Sequence, residues 1–205
     1  MDKDEHIAAL ILAAGRSSRM GAVKPLLRLG QETVLERIIR CFRGAAIADI
    51  LVVLGHEAES FIPLLQKQSV SWVINPDYDR GMFSSVQTGV KNLDSGCRAF
   101  FLIPADMPFV RPETLKTLLE AYHEKTGDIY RPCYREKRGH PPLISARLIT
   151  PILDFAEPGG LRALLARYEE TSLDVACDDP GTLIDLDTPE DLIKAALPEV
   201  SGETR

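Results

Sequence analysis

Short apolar runs alternate with longer stretches of helical periodicity along the first half of the chain. Ile7 to Leu12 (IAALIL) carries no charge and predicts a strand buried on both faces. Thr33 to Arg43 sets Val34, Leu35, Ile38, Ile39 and Phe42 on one side of a helix, and Ile50 to Leu54 predicts a second strand, completing a βαβ unit. The rhythm continues with a helix near Glu57 to Gln66, a strand at Trp72 to Ile74, a helix near Ser84 to Asn92 and a strand at Ala99 to Ile103. Pro112 opens a further helix at its first turn, where a missing N–H is harmless. Strands separated by helices imply an α/β fold: a three-layer, mostly parallel, Rossmann-like sheet with helices on both faces. In such sheets the ligand sits beyond the carboxyl ends of the strands. Trp72, Phe100 and Phe101 fall in strand patterns and are expected in the core.

With 205 residues and 45% hydrophobic content, the chain can bury one full-sized core. No repeat, low-complexity segment or long linker divides it, so a single domain over residues 1–197 and a disordered tail over 198–205 are expected. The net charge is −6 and the 24 Lys and Arg are dispersed, which argues against nucleic acid as a partner. No apolar stretch approaches the ~20 residues needed to cross a bilayer, so no membrane partner is expected. Cys41, Cys97, Cys133 and Cys177 are far apart, with neither CxxC pairs nor zinc-finger spacing. Together with the charged start MDKDEH, this points to a reducing compartment, the cytoplasm.

The first strand runs into LAAGRSSRMGAVK, residues 12 to 24. Small residues there let the backbone approach a ligand, and successive N–H groups suit anionic oxygens. The loop is not GxxxxGK[ST], because Ala22 rather than Lys follows Gly21, and no GxGxxG is present. A P-loop ATPase and a dinucleotide-binding dehydrogenase are both disfavoured. Two readings remain, a turn whose charges are merely solvated or a polyphosphate site, and Arg19 and Lys24 flanking Gly21 favour the second.

The blocks LAAGRSSRMGAVKPLL, NPDYDRGMFSSVQTGV, PADMPFV, RGHPPLI and IDLDTPEDL, in this order, resemble the small-molecule nucleotidyltransferases related to molybdenum cofactor guanylyl- and cytidylyltransferases. The similarity covers nearly the whole chain, to about Leu197, and implies a GT-A-like α/β fold. LAAG with GMxxSV and GHP resembles the cytidylyl branch, whereas the guanylyl branch usually carries LAGG and an Asn in place of the first acidic residue before TPED.

The resemblance implies Mg²⁺-dependent transfer of CMP from CTP, or of another nucleotide, to the phosphate of molybdopterin, with release of pyrophosphate. Arg19 and Lys24 would neutralise the triphosphate, and Leu12, Ala13, Ala14 and Gly15 would lie against base and sugar, with Gly81 and Met82 near base and ribose. Asp106, just past the strand FFLIP, is the leading Mg²⁺ ligand, although a turn aspartate before Met107-Pro108 is the simpler alternative. A second carboxylate is expected from Asp187 after a strand at TLID, where TPED also reads as a capping box; Asp185 shares a face with it. Ser84 or Ser85 is expected to cap the helix that follows Met82 or to touch nucleotide. YREKRGHPPLI reads as a hairpin with Arg138, Gly139 and His140 at its bend, and Arg138 and His140 are assigned to the acceptor. His6, His56 and His123 are read as structural. Partners are thus a triphosphate, a molybdopterin-type acceptor, and a molybdoenzyme or its maturation factor. The competing functions are a sugar-phosphate nucleotidyltransferase and, in another class, a non-catalytic molybdenum cofactor-binding chaperone.

Overall fold

The computed structural model describes residues 6–16 and 23–186. Arg19, Asp187, the TPED block and the expected tail lie outside the described residues. The chain runs β1 (His6–Ala13), β2 (Arg28–Leu29), β3 (Glu32–Thr33), α1 (Val34–Gly44), β4 (Asp49–Leu54), α2 (Ile62–Gln68), β5 (Ser71–Ile74), α3 (Met82–Lys91) and β6 (Cys97–Pro104). It continues through α4 (Pro112–Glu124), β7 (Ile129–Tyr134), β8 (Lys137–Arg138), β9 (Leu143–Ser145), α5 (Ile149–Asp154), α6 (Gly160–Ala166) and β10 (Ser172–Ala176). The main sheet has the order β10-β7-β9-β6-β1-β4-β5, with β8 paired to β7. It is mostly parallel but mixed, since β9 runs antiparallel between β6 and β7.

The alternation of β1 explains the three layers. Ala9, Ile11 and Ala13 join one core, with Leu35, Ile38 and Phe42 of α1, Leu65 of α2 and Leu115 and Leu118 of α4. Ala8, Leu10 and Leu12 join the other, with Val86 and Val90 of α3, Ile152 of α5 and Leu164 of α6. Phe101 and Phe100 divide between these cores in the same way, both fully buried. Trp72 is only half-buried, because β5 is the last strand of the sheet.

Local chemistry moves several expected boundaries. Thr33 caps α1 rather than beginning it: its hydroxyl accepts from the Glu36 N–H while the Glu36 carboxylate accepts from the Thr33 N–H. The expected helix near Glu57 breaks into a 3₁₀ turn at Ala58–Ser60 before α2, with Glu57 left-handed at φ 52°. Neither Ser84 nor Ser85 caps α3, whose N-cap is Gly81; both hydroxyls accept from the Asn75 side-chain amide. The hairpin bends at Arg135 and Glu136, with φ 46° and 63°, and not at Arg138 to His140; Arg138 is already in β8, opposite Cys133.

The expected strand at TLID opens instead as a 3₁₀ turn, Pro180–Leu183. Asp179 makes it so. Its Oδ1 accepts from the Gly181 N–H at 2.9 Å and its carbonyl accepts from the Thr182 hydroxyl at 2.9 Å. Its Oδ2 reaches across the fold to accept from the Arg111 N–H at 2.8 Å and the Thr114 hydroxyl at 2.7 Å, at the start of α4. Asp179 as a whole is 2% exposed.

Asp179→Ala strands two backbone donors and a hydroxyl in a buried setting, so it is expected to lower the unfolding free energy by about 2 to 3 kcal/mol. Urea denaturation checks this; a loss below about 1 kcal/mol would show that water replaces the carboxylate at no great cost.

Candidate active site

The carboxyl ends of β1, β4 and β6 are level, with Leu12 opposite Val53 and Pro104. Their loops therefore leave the sheet along one rim, and backbone hydrogen bonds stitch them together there. Ala105 N–H donates to the Leu12 carbonyl at 2.9 Å, His56 N–H to Ala14 at 3.2 Å, Leu186 N–H to Asp106 at 2.8 Å and His140 N–H to Thr182 at 2.8 Å. The last contact needs a glycine beside it, because a Cβ on Gly139 would fall 2.6 Å from the Thr182 carbonyl oxygen.

A cavity of about 630 Å³ opens on this rim. It is lined by Leu12, Ala13, Ala14 and Gly15 from the end of β1, Lys24 from a 3₁₀ turn at Lys24–Leu26, Gly81 and Met82 at the start of α3, Asp106 after β6, and Arg138 and His140. Every expected site residue that lies within the described residues is thus on one cavity. Its size is that of an ordinary small-molecule site. Tyr78, Ser85, Thr182, Leu183 and Asp185 also line it. Of these, Tyr78, Thr182 and Leu183 are not singled out by the sequence. Met82 is 65% exposed at the mouth although it begins a helix, which fits a contact surface better than a core position.

A second cavity of about 790 Å³ adjoins the first and shares Leu12, Met82, Pro104, Arg138, Gly139 and His140 with it. Phe83, Gly159, Gly160, Leu161 and Arg162 form its far side. This half was missed in the sequence. Its signal is EPGGLRALL, two adjacent glycines with φ 94° and 55° running into an amphipathic turn.

Arg138 lines both cavities and is held by two acids, Glu169, which lines the second cavity with it, and Asp174, which lines neither. The Arg138 Nε reaches both Asp174 oxygens at 2.9 Å and its Nη2 bonds Glu169, which also accepts from Arg131 at 2.9 Å. His140 is half-buried, and its Nδ1 is sealed from solvent with no hydrogen-bond partner among the described residues. Burial pushes this imidazole below its ordinary value, against opposing pulls from the Leu102 backbone and the Asp185 carboxylate. His140 is therefore a neutral ring near pH 7. His56, by contrast, lies outside the cavity lining, with its ring 6.1 Å from that of Tyr78.

Asp106 and Asp185 are the carboxylates on the first cavity among the described residues, and no group of three His, Cys, Asp or Glu converges there as a closed metal cage. That donor set fits a hard cation that keeps water and phosphate ligands, as Mg²⁺ does, and does not fit a structural zinc. No described helix is long and apolar enough to cross a membrane, and all four cysteines are free.

A family model described as "MobA-like NTP transferase domain" matches residues 9–172. The chain is 27% identical to the molybdenum cofactor cytidylyltransferase of Escherichia coli (strain K12) over 195 residues, 92% of this chain and 95% of the relative. It is 30% identical over 166 residues to a protein of Methanosarcina mazei named "Probable molybdenum cofactor guanylyltransferase", covering 78% of this chain and 72% of that protein. The crystal structure of Rv0371c from Mycobacterium tuberculosis H37Rv shares the fold, with a TM-score of 0.82 at 24% identity over 95% of this chain and 98% of that one. A manganese complex of Rv0371c superposes with a TM-score of 0.77 at 21% identity, over 93% of this chain and 98% of that one.

The depressed His140 value carries a sign for stability. As pH falls through the ordinary value near 6.5, the unfolded chain takes up the proton before the folded one does. His140 thus penalises the folded state progressively below about pH 6.5 and not above it. His140→Asn is expected to lose less stability than the wild type between about pH 7.5 and pH 5.5 in urea titrations; parallel losses would show that the ring charges freely in the fold.

Proposed function

Because the chain belongs to the MobA-like NTP transferase domain family, we propose that this nucleotidyltransferase moves CMP from CTP to the phosphate of a molybdopterin acceptor, with Mg²⁺ and release of pyrophosphate. The observation that carries the reading is the convergence on one cavity of the β1 loop, Lys24, Asp106 and Arg138. The 27% identity to a cytidylyltransferase supports the choice of CTP, and the four free cysteines suit the cytoplasm.

An acceptor phosphate oxygen attacks the α-phosphorus in line, the bond from that phosphorus to the bridging oxygen breaks, and pyrophosphate leaves with the electron pair. The acceptor phosphate is already ionised at neutral pH, so no side chain has to take its proton. The protein's work is positioning and charge neutralisation. Lys24, with Arg19 five positions earlier in sequence, is assigned to the β and γ phosphates; Ala13 to Gly15 present backbone to base and sugar, and Gly81 and Met82 close the other side. Asp106, with Asp185 on the same cavity, and Asp187 beyond the described residues would hold Mg²⁺, which when bound neutralises phosphate charge. Arg138, between the cavities, faces the acceptor phosphate, while neutral His140 contributes hydrogen bonding without adding charge. The second cavity gives the acceptor its own room beside the nucleotide.

Incubation with Mg²⁺ and each of the four triphosphates, with and without molybdopterin, reads the function directly as pyrophosphate release. Acceptor binding without release under any triphosphate would favour the carrier reading over catalysis. Lys24→Ala and Arg19→Ala are each expected to slow transfer about 10² to 10³ fold with the fold intact, as for other preorganised charges. Asp106→Asn should fall further than Asp185→Asn, with the deficit partly relieved at high Mg²⁺. Near wild-type kcat/KM in these variants would remove the loop and Asp106 from the chemistry.

Base choice follows from Ala14, which is 4% exposed on the cavity wall where LAGG sequences have glycine. Its β-carbon narrows the space beside the loop and costs a purine roughly ten- to two-hundred-fold relative to a pyrimidine. CTP is expected to outcompete GTP, and Ala14→Gly to relax that preference without inverting it. Equal or better use of GTP by the unaltered protein would reject the cytidylyl assignment and leave the transfer chemistry standing.

A further inference from the structure

Arg16 directly follows the nucleotide loop residue Gly15, and its guanidinium does not turn into the cavity. It forms a two-pronged pair with Asp79, Nε to Oδ1 and Nη2 to Oδ2, both at 2.8 Å. The same group lies 5.8 Å from the centroid of the Tyr78 ring. Neither Arg16 nor Asp79 lines the cavity, yet Gly15 on one side and Tyr78 and Gly81 on the other do. The pair is therefore behind the wall, joining two segments 63 positions apart in sequence. A second junction lies alongside it. A Cβ on Gly55 would fall 2.7 Å from the Tyr78 Cβ and 2.8 Å from the Ala14 carbonyl oxygen, and that carbonyl accepts from the His56 N–H. The loop after β1, the loop after β4 and the segment at 78–80 thus meet at this corner.

We propose that Arg16 and Asp79 are positioning residues, a clasp that holds Ala14 and Gly15 against Tyr78 and Gly81 and so sets how tightly the cavity grips a nucleotide. The proposal rests on the nucleotidyltransferase reading of this cavity. A paired, fork-shaped contact fixes orientation as well as distance, which a single Lys contact would not. Both side chains are more than half exposed, 60% and 58%, so the pair adds little to global stability. Its effect falls instead on local geometry. Asp79 is held below the usual carboxylate range by the Arg16 guanidinium, so the clasp persists through neutral pH. High salt weakens it, because an exposed pair is screened.

The test is a double-mutant cycle on the full chain with Mg²⁺, the acceptor, and CTP or GTP, whichever the wild type uses better. Arg16→Ala and Asp79→Ala are each expected to raise the KM for the triphosphate about three- to fivefold, with kcat within about twofold and the melting midpoint within about 2 °C. The double variant should be no worse than either single one, and the exchanged pair Arg16→Asp with Asp79→Arg should return KM to within about twofold of the wild type. Additive effects would overturn the clasp. So would loss in Arg16→Ala with none in Asp79→Ala, since Arg16 would then be acting on phosphate by itself. Unchanged KM in both singles, with a wild type that uses triphosphate, would overturn the clasp alone; a wild type that neither binds nor uses any triphosphate would overturn it together with the reading it rests on.

Discussion

The position of β1 constrains everything else in this fold. Both of its faces are buried and both of its edges are hydrogen-bonded in parallel, to β4 and to β6. A slip of one residue would move Ala9, Ile11 and Ala13 into the core now filled by Ala8, Leu10 and Leu12, and each core has helices shaped to the present set. Leu10 even occupies the space left by Gly89 of α3, where a Cβ would approach it to 2.5 Å. With the register fixed, the strand ends are level, and loops from three separate parts of the sequence are delivered to one rim. The site is thus a consequence of the core, and its loops need only short reach.

A sheet edge supplies nearness but not rigidity, and the segment 179–186 supplies that. It bonds to the start of α4 through Asp179, to His140 through Thr182 and to Asp106 through Leu186. Two glycines admit it: Gly139 beneath Thr182, and Gly181, where a Cβ would lie 2.0 Å from the Phe109 carbonyl oxygen. The acidic residue proposed for the metal and the histidine between the cavities are therefore braced by the same short stretch. Changes in that stretch reach both without touching either side chain.

The legible parts of the sequence are those where local pattern and tertiary burial agree. IAALIL, DILVVL and AFFLI each carry enough apolar length to declare a buried strand, and LAAG declares what leaves the first. β9 could not be seen this way, because three residues carry no period and its antiparallel course is set by β6 and β7. The bend of the hairpin was misplaced because Gly139 looked like the turn residue; its small size answers instead to Thr182, and Arg135 and Glu136 take the left-handed turn without a glycine. TLID has strand composition, but a buried carboxylate one turn earlier outweighs that weak propensity. Ser84 and Ser85 looked like caps by position, and a distant asparagine claims both. For β9 and Gly139 the deciding partners lie beyond the window that local pattern can read, whereas Asp179 lies within it and is fixed by the distant Arg111 and Thr114.

The charge distribution around the two cavities bears on the proposed reaction. Lys24, Asp106 and Asp185 lie on the first cavity, Arg131, Arg162 and Glu169 on the second and Arg138 on both, where Glu169 and Asp174 hold it. A guanidinium tethered this way spends little conformational entropy on meeting an anion, since its rotamer is already chosen. The same tether limits it to the ground between the two cavities. In the proposed transfer between two phosphate-bearing substrates, a cation at that location would offset the negative charges that the attacking oxygen and the α-phosphate bring together. A protonated histidine beside it would add a charge that varies with pH, and the burial of His140 removes that variation. The arrangement thus separates fixed charge, carried by arginine and lysine, from a neutral ring that shapes the passage between the cavities.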